Sequence, residues 1–290
     1  RTMKRLSVLG LIFSMLLSGT LVAQKSCCAN KALNAWRTGQ RHFVIVTATY
    51  NNAPWCKRNL DSVLSQTYTD FEVVITDDAS TDGTPDLIAQ RIEELGAANR
   101  VKLIRNTERK GAMANQYEMI HNHCVPNDIG VILDGDDWLL DAEVLDYLSA
   151  VYADPNVWLT YGQFIEYPSG AHGFCIDMPE YVVRSNGFRD FSEIPSHLRT
   201  FYAGLFQKIA RKDLCDKNGQ WLSMCADIAA MFPMIEMARN GHFKFIARPL
   251  LIYNSSNPIN DYKVSKSVQR GIDFDLRSRV AYSALTTLFE

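Results

Sequence analysis

The feature that most constrains this chain is a rhythm of short apolar, β-branched runs separated by helix-forming stretches, repeated between residues 43 and 133. Phe43-Val44-Ile45-Val46-Thr47-Ala48-Thr49 opens it. A run apolar at nearly every position predicts a strand buried on both faces, as in a parallel sheet. Pro54 then opens a helix with Leu60, Val63 and Leu64 on one side. Phe71-Glu72-Val73-Val74-Ile75-Thr76 predicts a second strand, and a turn rich in Asp, Ser, Thr and Gly comes after it. The next helix carries Pro85 in its first turn, where proline is tolerated, and stops at Gly96. Val101-Lys102-Leu103-Ile104 predicts a third strand, residues 111–123 a third helix, and Ile129-Gly130-Val131-Ile132-Leu133 a fourth strand that runs into Asp134. Strand alternating with helix in this way predicts an α/β fold, a Rossmann-like, mostly parallel sheet with helices on both faces. Ligands of such sheets bind beyond the carboxyl ends of the strands. Thr49-Tyr50-Asn51, Asp77-Asp78 and Asp134-Gly135-Asp136-Asp137 all fall at such ends.

From about residue 155 the rhythm weakens. Residues 157–161, 243–246 and 250–253 are short apolar pieces, and residues 209–216 and 227–239 have helical character. With 290 residues and no repeat, the second half is expected to complete the same domain.

Charge excludes some partners. The chain has 30 basic and 32 acidic side chains. Residues 1–24 hold three of the basic ones (Arg1, Lys4, Arg5) and no acid, so the remainder carries 27 against 32. A body with that balance has no global attraction for nucleic acid, and an anionic ligand needs a local site. Residues 6–23 are uncharged and apolar behind Lys4-Arg5. Such a stretch suits a signal peptide or a membrane anchor, a span needing roughly 20 residues. An uncleaved anchor is the expectation, followed by a tether over 25–41. The positive-inside rule would then put the domain in an endomembrane lumen. The seven cysteines show no metal-like spacing and predict scattered buried thiols.

Three carboxylates crowd the turn at 134–137. They repel one another unless a cation neutralises them, and hard divalent ions such as Mn²⁺ or Mg²⁺ take such oxygen ligands. A solvated acidic turn leading into a helix near Asp141 is the plain alternative. The turn from Asp77 to Thr84 is also what any tight strand-to-helix connection uses, with Asp82 or Thr84 as a cap. A carboxylate at that strand end can equally accept a hydrogen bond from a nucleobase. Asp227 precedes an apolar helical stretch, either as its N-cap or as a general base beside a cleft. Pro233 predicts that this helix begins near it or kinks there.

The segments Val44-Ile45-Val46-Thr47-Ala48-Thr49-Tyr50-Asn51-Asn52, Leu64-Ser65-Gln66-Thr67 and Asp77-Asp78-Ala79-Ser80-Thr81-Asp82-Gly83-Thr84 closely resemble glycosyltransferase family 2. Gly111, Ala114 and Asn115 resemble its next helix, and Leu133-Asp134-Gly135-Asp136-Asp137 its D-x-D segment. The resemblance runs in order over roughly residues 43–150. It implies a single-domain GT-A fold over 42–290, with a nucleotide-sugar half (42–150) and an acceptor half (151–290). It further implies that Thr49, Tyr50, Asn51, Gly111 and Gly135 line the nucleotide-sugar pocket. One of Asp77 and Asp78 would hold a uracil. Asp134 would face the ribose or the metal, and Asp136 would bind Mn²⁺ or Mg²⁺ directly. Asp227 matches the place of the family's base, although Ala226 stands where an acid often precedes it; Glu236 and Asp213 are the next candidates. No Gln-x-x-Arg-Trp signature of processive members occurs. The resemblance thus implies a non-processive, inverting transferase using a nucleotide-sugar, a UDP-sugar by preference, on an acceptor hydroxyl. A nucleotidyltransferase of similar layout and a non-catalytic nucleotide-sugar-binding module are the alternatives.

Overall fold

The computed structural model describes residues 41–259 and 265–289. The expected anchor and tether, apart from Arg41, lie outside the described residues. Among those described, no helix is long and apolar enough to cross a membrane.

The first half matches the sequence rhythm closely. Strand β1 is Phe43–Thr49, β2 Phe71–Asp77, β3 Val101–Arg105 and β4 Ile129–Ile132. Between them run α1 (Cys56–Leu64), α2 (Thr84–Glu94) and α3 (Ala112–His123). All four strands are parallel, in the order β3-β2-β1-β4. β1 lies inside this group, so Phe43, Val44, Ile45 and Val46 are each at most 1% exposed. Removing that apolar area from water is the main term holding the sheet to its helices. α1 starts two residues after Pro54, and α2 ends where Gly96 takes the left-handed conformation.

The second half extends the same sheet but breaks its parallelism. β5 is Trp138–Leu139, β6 Leu159–Tyr167, β7 Arg199–Tyr202 and β8 Phe243–Asn254. The full order is β3-β2-β1-β4-β7-β6-β8-β5. β7 is antiparallel to both β4 and β6, and β5 is antiparallel to β8. Six of the eight strands still point one way, as the pairings require. The sheet is therefore mostly parallel and continuous across both halves. The apolar pieces 243–246 and 250–253 are one strand, not two, because Arg248 and Pro249 lie within its length. α4 is Val144–Val151, α5 Glu180–Ser185 and α6 Ala203–Phe206, and a 3₁₀ turn covers Arg211–Leu214.

α7 (Ala226–Ala238) is buried at every position from Ile228 to Ala238. Pro233 neither begins nor ends it, since the helix continues through that residue. Packing on all sides outweighs the roughly 3 kcal/mol that an interior proline costs. Glu236, fully buried on this helix, accepts two hydrogen bonds from Arg189, Nε at 2.5 Å and Nη2 at 3.0 Å. Arg189 also donates to the carbonyl of Leu276 in the C-terminal helix α8 (Lys266–Ser278), and Glu236 accepts the backbone N–H of Tyr282. The pair thus ties the C-terminal segment to the core.

Candidate active site

The strand ends β1, β2 and β4 converge, and their loops share hydrogen bonds. The backbone N–H of Asp78 donates to the carbonyl of Thr49 at 2.8 Å. Asn51 takes a positive φ of 49°, which lets its N–H reach Ser80 Oγ and its Oδ1 accept the N–H of Thr81, both at 2.8 Å. Asn52 bonds Thr49 Oγ1 through its side chain and Thr84 Oγ1 through its backbone. Asp82 accepts the N–H groups of Ala53 and Thr84, and so fixes this loop as well as the start of α2. Tyr50 lies under the guanidinium of Arg109, 3.8 Å from the ring centroid.

The adjacent acids Asp77 and Asp78 have different environments. Asp78 accepts the N–H groups of Lys110 and Gly111 and the amide of Asn106, all within 3.0 Å. Burial alone would raise its carboxyl; these donors, with Asn115, hold it below the ordinary value. Gly111, at φ 88°, is the residue that turns the chain into α3 with its N–H on Asp78. Asp77 accepts only the N–H of Ser80 on one oxygen, and its Oδ1 is buried without a hydrogen-bond partner.

The acidic turn between β4 and β5 is held from below by Asn59 of α1, whose side-chain amide donates to the carbonyls of Asp134 and Asp137 at 2.9 and 2.8 Å. Gly135 packs directly on Thr49: a Cβ there would come within 2.5 Å of Thr49 Oγ1 and 2.6 Å of its Cβ. Asp134 accepts a hydrogen bond at 2.8 Å from Arg199, the first residue of β7. Burial would raise the Asp134 carboxyl, and this guanidinium holds it below the usual range instead. Asp136 accepts a 2.8 Å bond from Asn257, which also bonds Asn52 Oδ1. Asp137 is 1% exposed; one oxygen accepts the N–H of Asn254 at 2.8 Å and the other has no hydrogen-bond partner. Burial, together with the charges of Asp136 and Asp134, pushes this carboxyl well above its ordinary value.

Potential ligand atoms of Asp134, Asp137 and His197 lie within 4.8 Å of one another. Burial, with Arg199 beside it, drives the His197 imidazole down to about 3, so the ring is neutral at pH 7. The carboxylates of this turn suit a divalent cation such as Mn²⁺, and the unpartnered buried oxygen of Asp137 is the kind of atom a cation satisfies, whereas His197 Nδ1 already faces Arg199 Nη2 at 3.3 Å.

The structure therefore brings Thr49, Tyr50, Asn51, Asp77, Asp78, Gly111, Asp134, Gly135 and Asp136 to one end of the sheet. Asp227 stands apart from this hydrogen-bonded group. It lies in the first turn of α7 and is not the N-cap, a position taken by Cys225 in the left-handed conformation. Among the described residues no hydrogen bond or ion pair engages Asp227, so its carboxylate is uncommitted. Glu236 is excluded as a base, because it is fully buried and saturated by Arg189 and Tyr282. Asp213 is also engaged, by the Tyr282 hydroxyl. His197, Arg199, Asn254 and Asn257 carry no signal in the sequence, since they reach the acidic turn only through β7 and the end of β8. All five described cysteines are buried, as expected.

The model of the family described as glycosyl transferase family 2 matches residues 44–173. EpsE of Bacillus subtilis (strain 168), which bears a glycosyltransferase name, is 33% identical over 96 residues, 32% of this chain and 32% of that protein. The match thus spans about a third of that relative. Among solved structures, S. aureus TarS 1–349 in complex with UDP-GlcNAc superposes with a TM-score of 0.53 at 15% identity, covering 74% of this chain and 59% of that one. The mannosyltransferase PcManGT from Pyrobaculum calidifontis, in complex with GDP-Man and Mn²⁺, superposes with a TM-score of 0.51 at 20% identity, covering 83% and 69%. At such identities the likeness speaks for the fold, a GT-A arrangement, and the matched segment is the one that carries the converging strand ends. Residues 44–173 of the chain thus carry the glycosyl transferase family 2 segment.

Proposed function

We propose that this glycosyltransferase moves a sugar from a uridine diphosphate sugar to an acceptor hydroxyl, with inversion and one addition per encounter. The convergence of the polar strand ends at Thr49, Asp77 and Asp78 with the acidic turn carries this reading. Asp77 is the acid assigned to the base: one of its oxygens retains full acceptor capacity, while Asp78 is consumed by loop amides. A uracil N3–H is a donor that such an oxygen accepts. One structural neighbour is a mannosyltransferase in complex with GDP-Man, so guanine is the rival base to be tested.

The cation belongs at the turn, on carboxylates drawn from Asp134, Asp136 and Asp137. When bound, it supplies positive charge to the departing diphosphate. The protein's own part is to orient and to move one proton. Asp227 takes the proton of the acceptor hydroxyl as that oxygen bonds the anomeric carbon. The bond from that carbon to the diphosphate breaks on the opposite face, and the electron pair leaves with the diphosphate. Residues 6–23 are proposed to anchor the protein in an endomembrane; resistance to carbonate extraction, with Lys4 still present in the mature chain, is the expected result.

A screen of UDP- and GDP-linked hexoses and N-acetylhexosamines for thermal stabilisation, followed by donor hydrolysis with Mn²⁺, tests the reading. Stabilisation and turnover with one UDP-sugar are expected. Preference for guanosine donors overturns the uracil assignment; cleavage between the phosphates would make the protein a nucleotidyltransferase or pyrophosphatase; binding without turnover would make it a binding module.

A further inference from the structure

The strap that follows β6, residues 171–178, has no part in the chemistry just assigned. Phe174 is 52% exposed and Ile176 43%, while Cys175 between them is 1% exposed. That alternation is the period of an extended segment laid on the fold, one side chain in and its two neighbours out. The strap is fastened along its length. The N–H of Gly173 donates to the carbonyl of Phe164 at 2.9 Å, and the Gln163 amide donates to the carbonyl of Cys175. The Tyr161 hydroxyl donates to the carbonyl of Ile176 at 3.1 Å and accepts the N–H of Met178 at 3.0 Å. Position 173 requires glycine, because a Cβ there would come within 2.5 Å of the Phe164 ring. Two large apolar side chains are thus fixed in water by the fold, and apolar surface held out in this way marks a place of binding.

Its position bears on what it binds. β7 is antiparallel to both β4 and β6, so β6 runs with β4 and ends at the same edge of the sheet as the acidic turn. A line of rings connects the two. Phe174 packs edge-on against Phe164, 5.6 Å between centroids, and Phe164 packs in the same manner against His197 at 5.7 Å. His197 Nδ1 is in turn 4.0 Å from Asp134 Oδ2. Two ring contacts therefore separate Phe174 from the acidic turn, on the side away from the loops of Asp77 and Asp78. The rim of the apolar surface is polar, since His172 and Asp177 flank it and are exposed. A pyranose has the same division, with C–H groups over its face and hydroxyls around its edge. Those C–H groups, polarised by the neighbouring oxygens, suit the negative face of an aromatic ring. A lipid chain offers nothing to a flanking carboxylate.

We propose that the acceptor is itself a pyranoside, and that Phe174, with Ile176 beside it, is the surface on which the acceptor's C–H face stacks. The inference rests on the transferase reading and names the acceptor class for it. Stacking holds the ring by its face and leaves the hydroxyls at its edge free to attack. Lipid alcohols, polyols and amino-acid hydroxyls present no such face and would leave Phe174 uncovered.

The test uses the full chain with UDP and Mn²⁺ present. The probes are the methyl glycosides of glucose, galactose, mannose and N-acetylglucosamine, with octyl glucoside and glycerol as controls. Saturation-transfer NMR, with the aromatic protons of the protein irradiated, reads which probe protons lie against a ring. In wild type the ring C–H protons of at least one methyl glycoside should be saturated. Phe174→Ala should remove that signal and weaken the glycoside about tenfold, while UDP affinity by calorimetry stays as in wild type. Phe174→Trp should restore the contact, and its fluorescence should respond to the same glycoside. Phe174 is half exposed, so both variants should melt with wild type. In transfer to that glycoside, Phe174→Ala should raise the acceptor KM about tenfold with little change in kcat. Silence from every methyl glycoside in wild type overturns the proposal, as does a signal confined to the octyl chain. A glycoside signal or an acceptor KM that survives Phe174→Ala also overturns it. Transfer to glycerol with no methyl glycoside bound would sink this acceptor class alone. A glycoside stacked on Phe174 in a protein that turns over no nucleotide-sugar would sink the transferase reading alone.

Discussion

The molecule contains two carboxylate–guanidinium pairs that differ in how fully they are used. Arg189 and Glu236 are joined by two hydrogen bonds, and further donors and acceptors from Tyr282 and Leu276 complete them. Arg199 and Asp134 share a single hydrogen bond, and Arg199 Nε is buried without a hydrogen-bond partner. Asp134 also remains 37% exposed, whereas Glu236 is wholly covered. The saturated pair fixes a tail to a core; the unsaturated one leaves lone pairs at the mouth of the sheet. Buried charge alone therefore does not mark the site. Buried charge with unused hydrogen-bonding capacity does.

The contrast recurs along α7 itself, where Asp227 is uncommitted in the first turn and Glu236 is saturated further on. Asp227→Asn should lower transfer by about 10² to 10⁴, the usual worth of a general base. Stability should change by less than about 1 kcal/mol, since the residue caps nothing. Single-turnover rates and urea melts check the two halves of that statement; transfer at the wild-type rate places the base elsewhere.

Glu236→Ala should do the reverse. It leaves the Arg189 guanidinium buried and unpaired, at a cost of about 3 to 5 kcal/mol. The denaturant midpoint should fall, while activity per folded molecule stays near wild type. Replacing both partners by Met should recover most of the loss. If the double variant is no more stable than the single one, the pair is not the fastening it resembles.

Gly135→Ala probes the contact between the turn and β1. A methyl 2.5 Å from Thr49 Oγ1 forces the two apart, an overpacking cost of about 1 to 3 kcal/mol. Nucleotide affinity measured by calorimetry should fall together with stability, because the same contact orders the pocket. A gain of affinity would show that the turn is not seated on Thr49 when ligand binds.

The smallest effect expected is that of pH on Asp78. Its carboxyl is depressed in the folded state, so its contribution to stability is complete above the unfolded value near 3.8 and is lost as pH falls through the lower folded value. Wild type should lose about 1 to 3 kcal/mol over that acid window through this group, in line with hydrogen bonds to a charged acceptor. Asp78→Asn should flatten that limb of a stability–pH curve, recorded by urea unfolding. An unchanged limb would assign the acid sensitivity to other carboxylates.

Most of the nucleotide half is legible in the order of its residues. Each of its strands is an apolar run, and Thr49, Asp77 and Asp134 come at or just past the strand ends, so local periodicity and chain order place them together. Sequence by itself also carried the family resemblance of this half, through motifs that are contiguous along the chain. It could not separate Asp77 from Asp78, because the difference between them lies in loop amides some 30 residues away. Nor could it find His197, Arg199 or Asn257. Their roles depend on β7 running against β4 and on the end of β8 returning to the acidic turn, and an antiparallel register leaves no local period in the sequence to announce it. Pro233 marks the same boundary. A proline's local cost is visible in sequence, but the packing that overrides it comes from every side of a buried helix, and only the assembled core supplies that.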